Sequence, residues 1–150
     1  MLVHFTRTAH RSSSTQVTVK GNAIVPKSKA KILGVIMDTQ LQYRSHIART
    51  ATKGLKAALA LKRLKMLSPS TARQLFNAIV ALVMDYASSV WMHVAKESAM
   101  TTLNRAQRVG AQAITGAFQT VAVAIAEAEA YIQLVNQRQN ERATKLWVGI

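Results

Sequence analysis

The sequence predicts an α+β fold, with a small antiparallel β element over about residues 1–38 and a mainly α helical bundle over about residues 41–148. Three observations predict this division. Short runs rich in β-branched residues occur before residue 39, apolar spacing of helical period begins near Leu41, and proline, serine and glycine stand where helices should begin or end. We therefore expect a β region at 1–38, made of a hairpin and a further strand, and a helical bundle at 39–150, divided near residues 39–42.

The β region contains two short β-prone runs, Leu2–Phe5 and Gln16–Val19, on either side of a serine-rich loop. The second run meets Gly21 before another apolar stretch, which is the pattern of a hairpin. Residues Lys31–Asp38 predict a further strand because β-branched side chains are frequent there. Within it, Gly34 indicates a bulge or a close backbone approach.

The first predicted helix extends over about residues 44–65 and has two distinct faces. Apolar residues recurring at three- and four-residue intervals define the inward face, namely Ile47, Ala51, Leu55, Ala58, Leu59 and Met66. Basic residues fall together on the opposite face, namely Arg49, Lys53, Lys56 and Arg63.

A second helix is predicted over roughly Pro69–Val94, because Ser68 can cap it and proline is favoured in the first helical turn. It is apolar nearly all round between Ala78 and Met84, which is typical of the central and most buried helix of a bundle. That uninterrupted apolar run of seven residues is much shorter than the roughly 20 that a membrane helix needs. We expect no membrane span.

The remaining helices follow the same period. One runs from about Ser98 to Thr115, where Gly116 should close it and Gly110 permits close packing. Its inward residues are predicted to be Leu103, Ala106, Val109 and Ala113, and its outward residues Arg105, Arg108 and Gln112. Residues 121–135 should continue as helix, and residues 136–147 form an amphipathic segment whose exposed side chains are Arg138, Glu141, Arg142 and Lys145. The apolar residues 146–148 have no stop signal behind them, so we expect a truncated chain.

The charge of the chain indicates a polyanionic partner. Twenty lysines and arginines stand against six acidic residues, which gives a net charge of +14 and a pI near 11.1. Residues 1–75 contain 14 basic and 1 acidic side chains, whereas residues 76–150 contain 6 and 5. We therefore place the binding surface in the first half.

Several chemistries are disfavoured. The absence of cysteine excludes disulfides, zinc knuckles and thiol catalysis, and it fits an intracellular location, nuclear or cytoplasmic. The four histidines show no metal-ligand spacing, and His46 is expected to cap or pack at a helix start. Asp85, Tyr86 and Trp91 are interpreted as core residues with satisfied polar tips. We assign no catalytic residue, no metal site and no cofactor to this chain.

The basic face of the first helix could be an ordinary solvated face or a nucleic-acid contact. No acidic residue lies between Asp38 and Asp85 to balance it, which favours contact with phosphates. The lysines near residue 29 could equally protect an edge strand from pairing. The predicted nucleic-acid-binding residues are Lys27, Lys29, Lys31, Arg44, Arg49, Lys53, Lys56 and Arg63.

A family resemblance rests on seven short segments. In chain order they are KILGVIMD at 31–38, LQY at 41–43, HI at 46–47, MDYAS at 84–88, VW at 90–91, LNR at 103–105 and QR at 107–108. In order and spacing they resemble the part of non-LTR (LINE-type) retrotransposon reverse transcriptases that follows the catalytic core, in particular copies from fungal retroelements. The resemblance covers essentially the whole chain. It implies that the strand with Leu33 and Gly34 is similar to the primer grip at the palm edge, that the helices are similar to the thumb, and that Leu2–Phe5 is a palm strand.

The intact family enzyme is an RNA-directed DNA polymerase that uses Mg²⁺ held by clustered carboxylates. This chain has two aspartates, Asp38 and Asp85, which are not adjacent and lie outside the family's catalytic motifs. The resemblance therefore implies a non-catalytic fragment that binds RNA or RNA–DNA duplex backbone without sequence specificity. Leu82 and Leu134 stand where the family commonly has proline, which indicates a decayed or fragmentary copy.

Two alternatives stay open. The fragment could support polymerase activity in trans, completing a partner that carries the catalytic aspartates and the remainder of a reverse transcriptase. It could instead be a basic amphipathic mitochondrial or membrane-surface protein, because the first sixteen residues are basic, serine-rich and free of acids, like a presequence.

Overall fold

The computed structural model describes residues 2–6 and 16–149 and shows two small antiparallel hairpins followed by five helical units. The predicted α+β class is confirmed. Strand β1 (Val17–Val19) pairs with β2 (Asn22–Ile24), and β3 (Lys29–Ile32) pairs with β4 (Val35–Asp38) in a separate two-stranded sheet.

The strand predicted over residues 31–38 is wrong as a single element, because the chain reverses at Leu33 and Gly34. Both residues have positive φ, 47° and 84°, as two-residue hairpin turns require for their twist to match the strands. The bulge expected at Gly34 is therefore a turn. The first hairpin reverses in the same way, one residue earlier than predicted, with φ of 49° at Lys20 and 78° at Gly21.

The strand predicted at Leu2–Phe5 is also wrong, since residues 2–6 form no regular strand. Single backbone hydrogen bonds hold this segment instead: the Lys27 N–H donates to the Leu2 carbonyl at 2.9 Å, and the Thr6 N–H donates to the Thr39 carbonyl at 2.9 Å. The serine-rich loop and most of the presequence-like stretch lie outside the described residues.

Helix α1 (Arg44–Arg63) buries one narrow stripe, in which Ile47, Ala51 and Ala58 are confirmed as inward. Leu59 and Met66 were predicted to join it but are exposed. The stripe continues through Gly54 and Leu61 instead of Leu59, and Met66 lies beyond the end of the helix, where the helical period no longer applies. Leu55 is partly buried against the core.

The second helical unit begins as predicted, since the Ser68 side chain accepts a hydrogen bond from the Thr71 N–H at 3.1 Å and Pro69 follows. The prediction of one continuous helix to Val94 is wrong. Its parts are α2 (Pro69–Leu75), a π-helical segment (Phe76–Ala81), α3 (Leu82–Met84), α4 (Ser88–Trp91) and a 3₁₀ turn (Met92–Val94). The break at residues 85–87, where Ala87 has a φ of 54°, turns the Asp85 carboxylate toward the last helix.

The second unit has two apolar faces, and the expectation that it is buried all round is wrong. Phe76, Val80 and Met84 lie in the core with almost no exposed surface. Ile79 and Leu82 are each 51% exposed on the other side.

On length and composition alone, residues Pro69–Val94 could cross a membrane, with a mean hydropathy of 1.4 in the most apolar window, 39% of which is buried. The core helix of a soluble protein passes the same test. The expectation of no membrane span therefore stays a prediction. The turn at residues 85–87 and the buried charge of Asp85 favour it.

Helix α5 (Glu97–Thr115) packs along α1 and forms the main helix–helix interface. Leu103 and Ala106 are fully buried, and Gly116 closes the helix with a φ of 71°, both as predicted. Gln112 was predicted to face outward but is buried, because its side-chain oxygen accepts a hydrogen bond from the Lys62 amine at 3.1 Å.

The chain ends in α6 (Val123–Glu129) and α7 (Val135–Val148). The helix predicted through residue 135 stops early, since Tyr131 adopts a positive φ of 51°. Gly149, with a φ of 73°, closes α7, so the expected lack of a stop signal is also wrong.

Candidate nucleic-acid interface

The basic stripe of α1 is exposed, as predicted. Arg49, Lys53, Lys56 and Arg63 all lie in solvent, separated by four, three and seven positions. At about 1.5 Å of rise per residue the stripe spans about 21 Å, long enough to follow several phosphates along a strand. The one acid nearby, Asp38, accepts a hydrogen bond from the Gln42 N–H at 2.7 Å at the start of the helix. Nothing acidic on α1 itself neutralises the stripe.

The predicted lysines of the β3–β4 hairpin are exposed as well, and they differ in surroundings. Lys29 lies opposite Asp38 in the strand register, and its amine donates to the Ser45 hydroxyl at 2.6 Å, which fastens the hairpin to the start of α1. Lys31 points in the same direction two residues later and has no such partner among the described residues. Lys31 is therefore the more available cation.

Three of the predicted cations meet in one cleft between the hairpin turn, α1 and the second helical unit. Lys31, Arg49 and Lys53 line this cleft, which we call the cationic cleft, and Gly34 lines it from the turn. The cleft has a volume of about 470 Å³. Its remaining lining residues are His46, Thr50, Ala78, Ile79, Leu82, Val83 and Tyr86.

The hairpin turn is fastened to the cleft by Tyr86. The Tyr86 hydroxyl donates a 2.7 Å hydrogen bond to the carbonyl of Leu33. A Cβ at Gly34 would lie 3.0 Å from that hydroxyl, so the glycine gives the tyrosine the room it needs. The close approach expected at Gly34 is thus real. Of the two residues predicted as primer-grip-like, Gly34 lines the cleft, and Leu33 fastens the turn through its carbonyl.

His46 lies beneath the cleft and packs at the start of α1, as expected. Its Nδ1 accepts a long hydrogen bond of 3.4 Å from the Ile36 N–H, and its ring meets that of Trp91 edge-on at 6.2 Å. Burial lowers the pKa of His46, an interaction with the Tyr86 backbone opposes the shift, and the charge of Arg49 adds to it. His46 is therefore neutral at neutral pH and adds no charge to the cleft.

The other predicted cations lie apart from the cleft. Arg44 lines a second cavity with Lys96, between the starts of α1 and α5. Lys27 precedes β3, and Arg63 is the last residue of α1, about 21 Å from Arg49 along the helix axis and beyond Lys56. Arg63 continues the stripe, whereas Arg44 faces a different side.

Arg138 was predicted to be exposed, but it is buried. Its guanidinium forms an ion pair with Asp85, donating to Oδ2 through Nε and to Oδ1 through a second nitrogen at 3.2 Å. It also donates to the side-chain oxygen of Gln107 and to the Gln133 carbonyl, each at 3.0 Å. Arg142 approaches the same carboxylate at 3.6 Å from the surface.

Asp85 and Trp91 are thus core residues with satisfied polar tips, as interpreted from the sequence. The Trp91 indole donates to the Tyr86 carbonyl at 2.9 Å. Tyr86 itself is half exposed and belongs to the cleft, which corrects its placement in the core.

The two ion pairs in the described part of the chain both use Asp85. None of the eight predicted cations takes part in either. The residues also do not fit a pair of Mg²⁺ ions, because Asp38 and Asp85 are engaged elsewhere and residues 2–6 and 16–149 contain no group of three potential ligands. Comparisons with protein-family models, curated proteins and solved structures found no match to this chain.

Sequence reasoning missed the apolar part of the cleft. Ile79, Leu82 and Tyr86 recur at three- and four-residue intervals, and so do the core residues Phe76, Val80 and Met84. These two interleaved series indicate that the second helical unit contributes to two surfaces, the core and the cleft. The two series could not be told apart in the sequence because both are apolar.

Proposed function

We propose that this chain binds the backbone of RNA or RNA–DNA duplexes without sequence specificity and carries out no turnover alone. The observation that supports it most is the set of exposed, unneutralised cations on one side of the molecule. Lys31, Arg49, Lys53 and Lys56 form what we call the cationic surface. The resemblance to the thumb of non-LTR reverse transcriptases points to the same ligand.

The side chains of this surface suit phosphates better than base edges. Lysine and arginine on a convex helix face position a duplex, whereas sequence is distinguished by groups that enter a groove. An A-form duplex presents its phosphates and 2′-hydroxyls across a wide, shallow minor groove, which suits recognition by shape and charge. We therefore expect similar affinity for duplexes of unrelated sequence.

Salt dependence tests the electrostatic origin of binding. Fluorescence anisotropy with a labelled RNA–DNA duplex should show log affinity falling linearly with log salt, by roughly 0.7–0.9 for each phosphate neutralised. A slope near zero would contradict the proposal. Anionic lipid vesicles serve as a second ligand, and binding to vesicles but not to duplex would favour a membrane-surface protein.

Charge reversal tests the location. We expect Arg49→Glu, Lys53→Glu and Lys56→Glu together to abolish most binding, because three contacts become repulsive. The matched control reverses Lys96, Arg105 and Lys145, which are exposed at the start of α5, on α5 and on α7, and it produces the same change in net charge. Equal losses in the two variants would mean that net charge, and not this surface, governs binding.

A further inference from the structure

The cationic cleft combines two kinds of wall. One side carries Lys31, Arg49 and Lys53, and the other carries half-exposed apolar side chains of the second helical unit. Its volume of about 470 Å³ lies within the range of pockets that take small organic groups, roughly 300–1,000 Å³. A duplex backbone alone would use the cations and leave the apolar wall in water.

The apolar wall is not a by-product of core formation. Phe76, Val80 and Met84 already supply the core from the opposite side of the same unit. Ile79 and Leu82 are 51% exposed and face the cleft instead. The π-helical segment includes Ile79, and π-helical turns occur frequently at functional sites.

Tyr86 completes this wall with a ring whose position is fixed. Its hydroxyl donates to the Leu33 carbonyl at 2.7 Å, and the ring packs closely against Gly34, where a Cβ would lie 3.3 Å from the ring. A preorganised aromatic side chain loses little conformational entropy when a ligand covers it. Tyr86 is half exposed, so a flat ligand can reach it.

The ligand that matches both walls has an anionic group and a flat apolar group a short distance apart. A nucleotide has this chemistry, because its base contacts apolar and aromatic surface while its phosphate meets cations. A base inside a duplex is already paired and stacked on its neighbours. An unpaired base is free to enter, at the lowest unstacking cost.

We propose that the cationic cleft takes one unpaired nucleotide next to a bound duplex. Its base lies against Ile79, Leu82 and Tyr86, and its phosphate lies against Arg49 and Lys53. This inference rests on the proposed function and deepens it, since it specifies a duplex with a single-stranded end as the preferred ligand.

The first experiment uses the unmodified chain and three ligands that share one RNA–DNA duplex. One is blunt, one has a single unpaired nucleotide at one end, and one has the same extension without its base. We expect the unpaired nucleotide to raise affinity about tenfold, in line with the contribution of one base against an aromatic side chain. The abasic extension keeps the phosphate that meets Arg49 and Lys53 but lacks the base, so it should bind clearly more weakly than the intact extension.

The second experiment removes the apolar wall without changing charge. Ile79→Ser with Leu82→Ser should bring the affinity for the extended duplex close to that for the abasic extension. Ile125→Ser with Leu134→Ser is the matched control, because these side chains are comparably exposed, on α6 and at the start of α7, and do not line the cleft. The control should keep the tenfold preference.

The outcomes separate the two proposals. Equal binding of the blunt and extended duplexes by the unmodified chain overturns the inference and leaves the proposed function intact. A preference of the same size for the abasic extension also overturns it, because the extra phosphate alone would then explain the effect. Failure to bind any of the three duplexes overturns the proposed function and the inference together. The comparison of ligands decides the matter even where a serine variant does not fold.

Discussion

The two halves of this chain place basic side chains of amphipathic helices in opposite environments, solvent in one and the core in the other. In the first half, Arg49 and its neighbours on α1 stay in solvent without an acidic partner. In the second half, Arg138 of α7 is buried against Asp85 and two glutamine residues. Both arginines stand on the polar side of an amphipathic helix in the sequence.

The difference teaches that helical spacing identifies the side of a helix but not what covers that side. Asp85 lies 53 residues before Arg138, and only the fold brings them together. For α1 no distant acid arrives, which makes its stripe available to a ligand. A cation is a candidate binding residue when the tertiary structure, and not the sequence spacing alone, leaves it unpaired.

Breaking the buried pair is expected to have the largest effect. Arg138→Met should lower the free energy of unfolding by about 3–5 kcal/mol, because it leaves the fully buried Asp85 carboxylate uncompensated. Arg142→Met should cost less than about 1 kcal/mol, since that side chain is 41% exposed. Urea denaturation measures both.

A double variant separates two possible causes of the lower stability of Arg138→Met, the unpaired charge and the lost packing. Combining Arg138→Met with Asp85→Leu removes both charges and should recover much of the stability. A double variant as unstable as the single one would show that packing around the arginine, and not the unpaired charge, determines the loss.

Adding a methyl group where two helices pack closely should have an intermediate effect on stability. One such glycine lies in each half of the chain, so the two substitutions compare the halves. At Gly110→Ala the new Cβ would lie 2.2 Å from the ring of the fully buried Phe76, which should cost about 1–3 kcal/mol. At Gly54→Ala on α1 the Cβ would meet the Met84 side chain at 2.4 Å. Met84 has more rotatable bonds than Phe76, and alanine favours helix, so the net cost there should be smaller than at Gly110 even though Met84 is fully buried.

Thermal unfolding of the two glycine variants measures the difference. Equal destabilisation would mean that Phe76 yields as easily as Met84. The packing between α5 and the second helical unit would then be looser than the structure indicates.

Neutralising the cationic stripe should have the smallest effect on stability. Replacing Arg49, Lys53 and Lys56 with glutamine removes repulsion between like charges one turn apart, which is worth about 0.2–0.5 kcal/mol per pair. We therefore expect a slight gain in the free energy of unfolding at low salt. A loss above about 1 kcal/mol would reveal partners for these side chains and would weaken the contrast with Arg138.

Local signals in the sequence predicted the fold class and several element boundaries. Ser68 with Pro69 marked a helix start, and Gly116 marked a helix end, because capping depends on residues within one turn. The turn at Leu33 and Gly34 was missed because an apolar, β-branched run continues through it, although a residue followed by glycine is a common turn signal.

The candidate site could be predicted only in part. Exposure of the cations followed from their helical spacing, so Arg49 and Lys53 were found. The apolar wall was not found, because Ile79 and Leu82 belong to the cleft only after the second unit has placed its other side in the core. The burial of Arg138 depends on Asp85, which no local pattern connects to it.

The separation of Asp85 and Arg138 has a consequence for how the chain matures during translation. A ribosome adding about 5–20 residues per second needs about 3–10 seconds to make the 53 residues between them. Throughout that interval the second helical unit has been synthesised while its carboxylate still lacks its arginine. The nascent protein therefore completes its interior late, and a chaperone that shields apolar segments has its greatest value in those seconds.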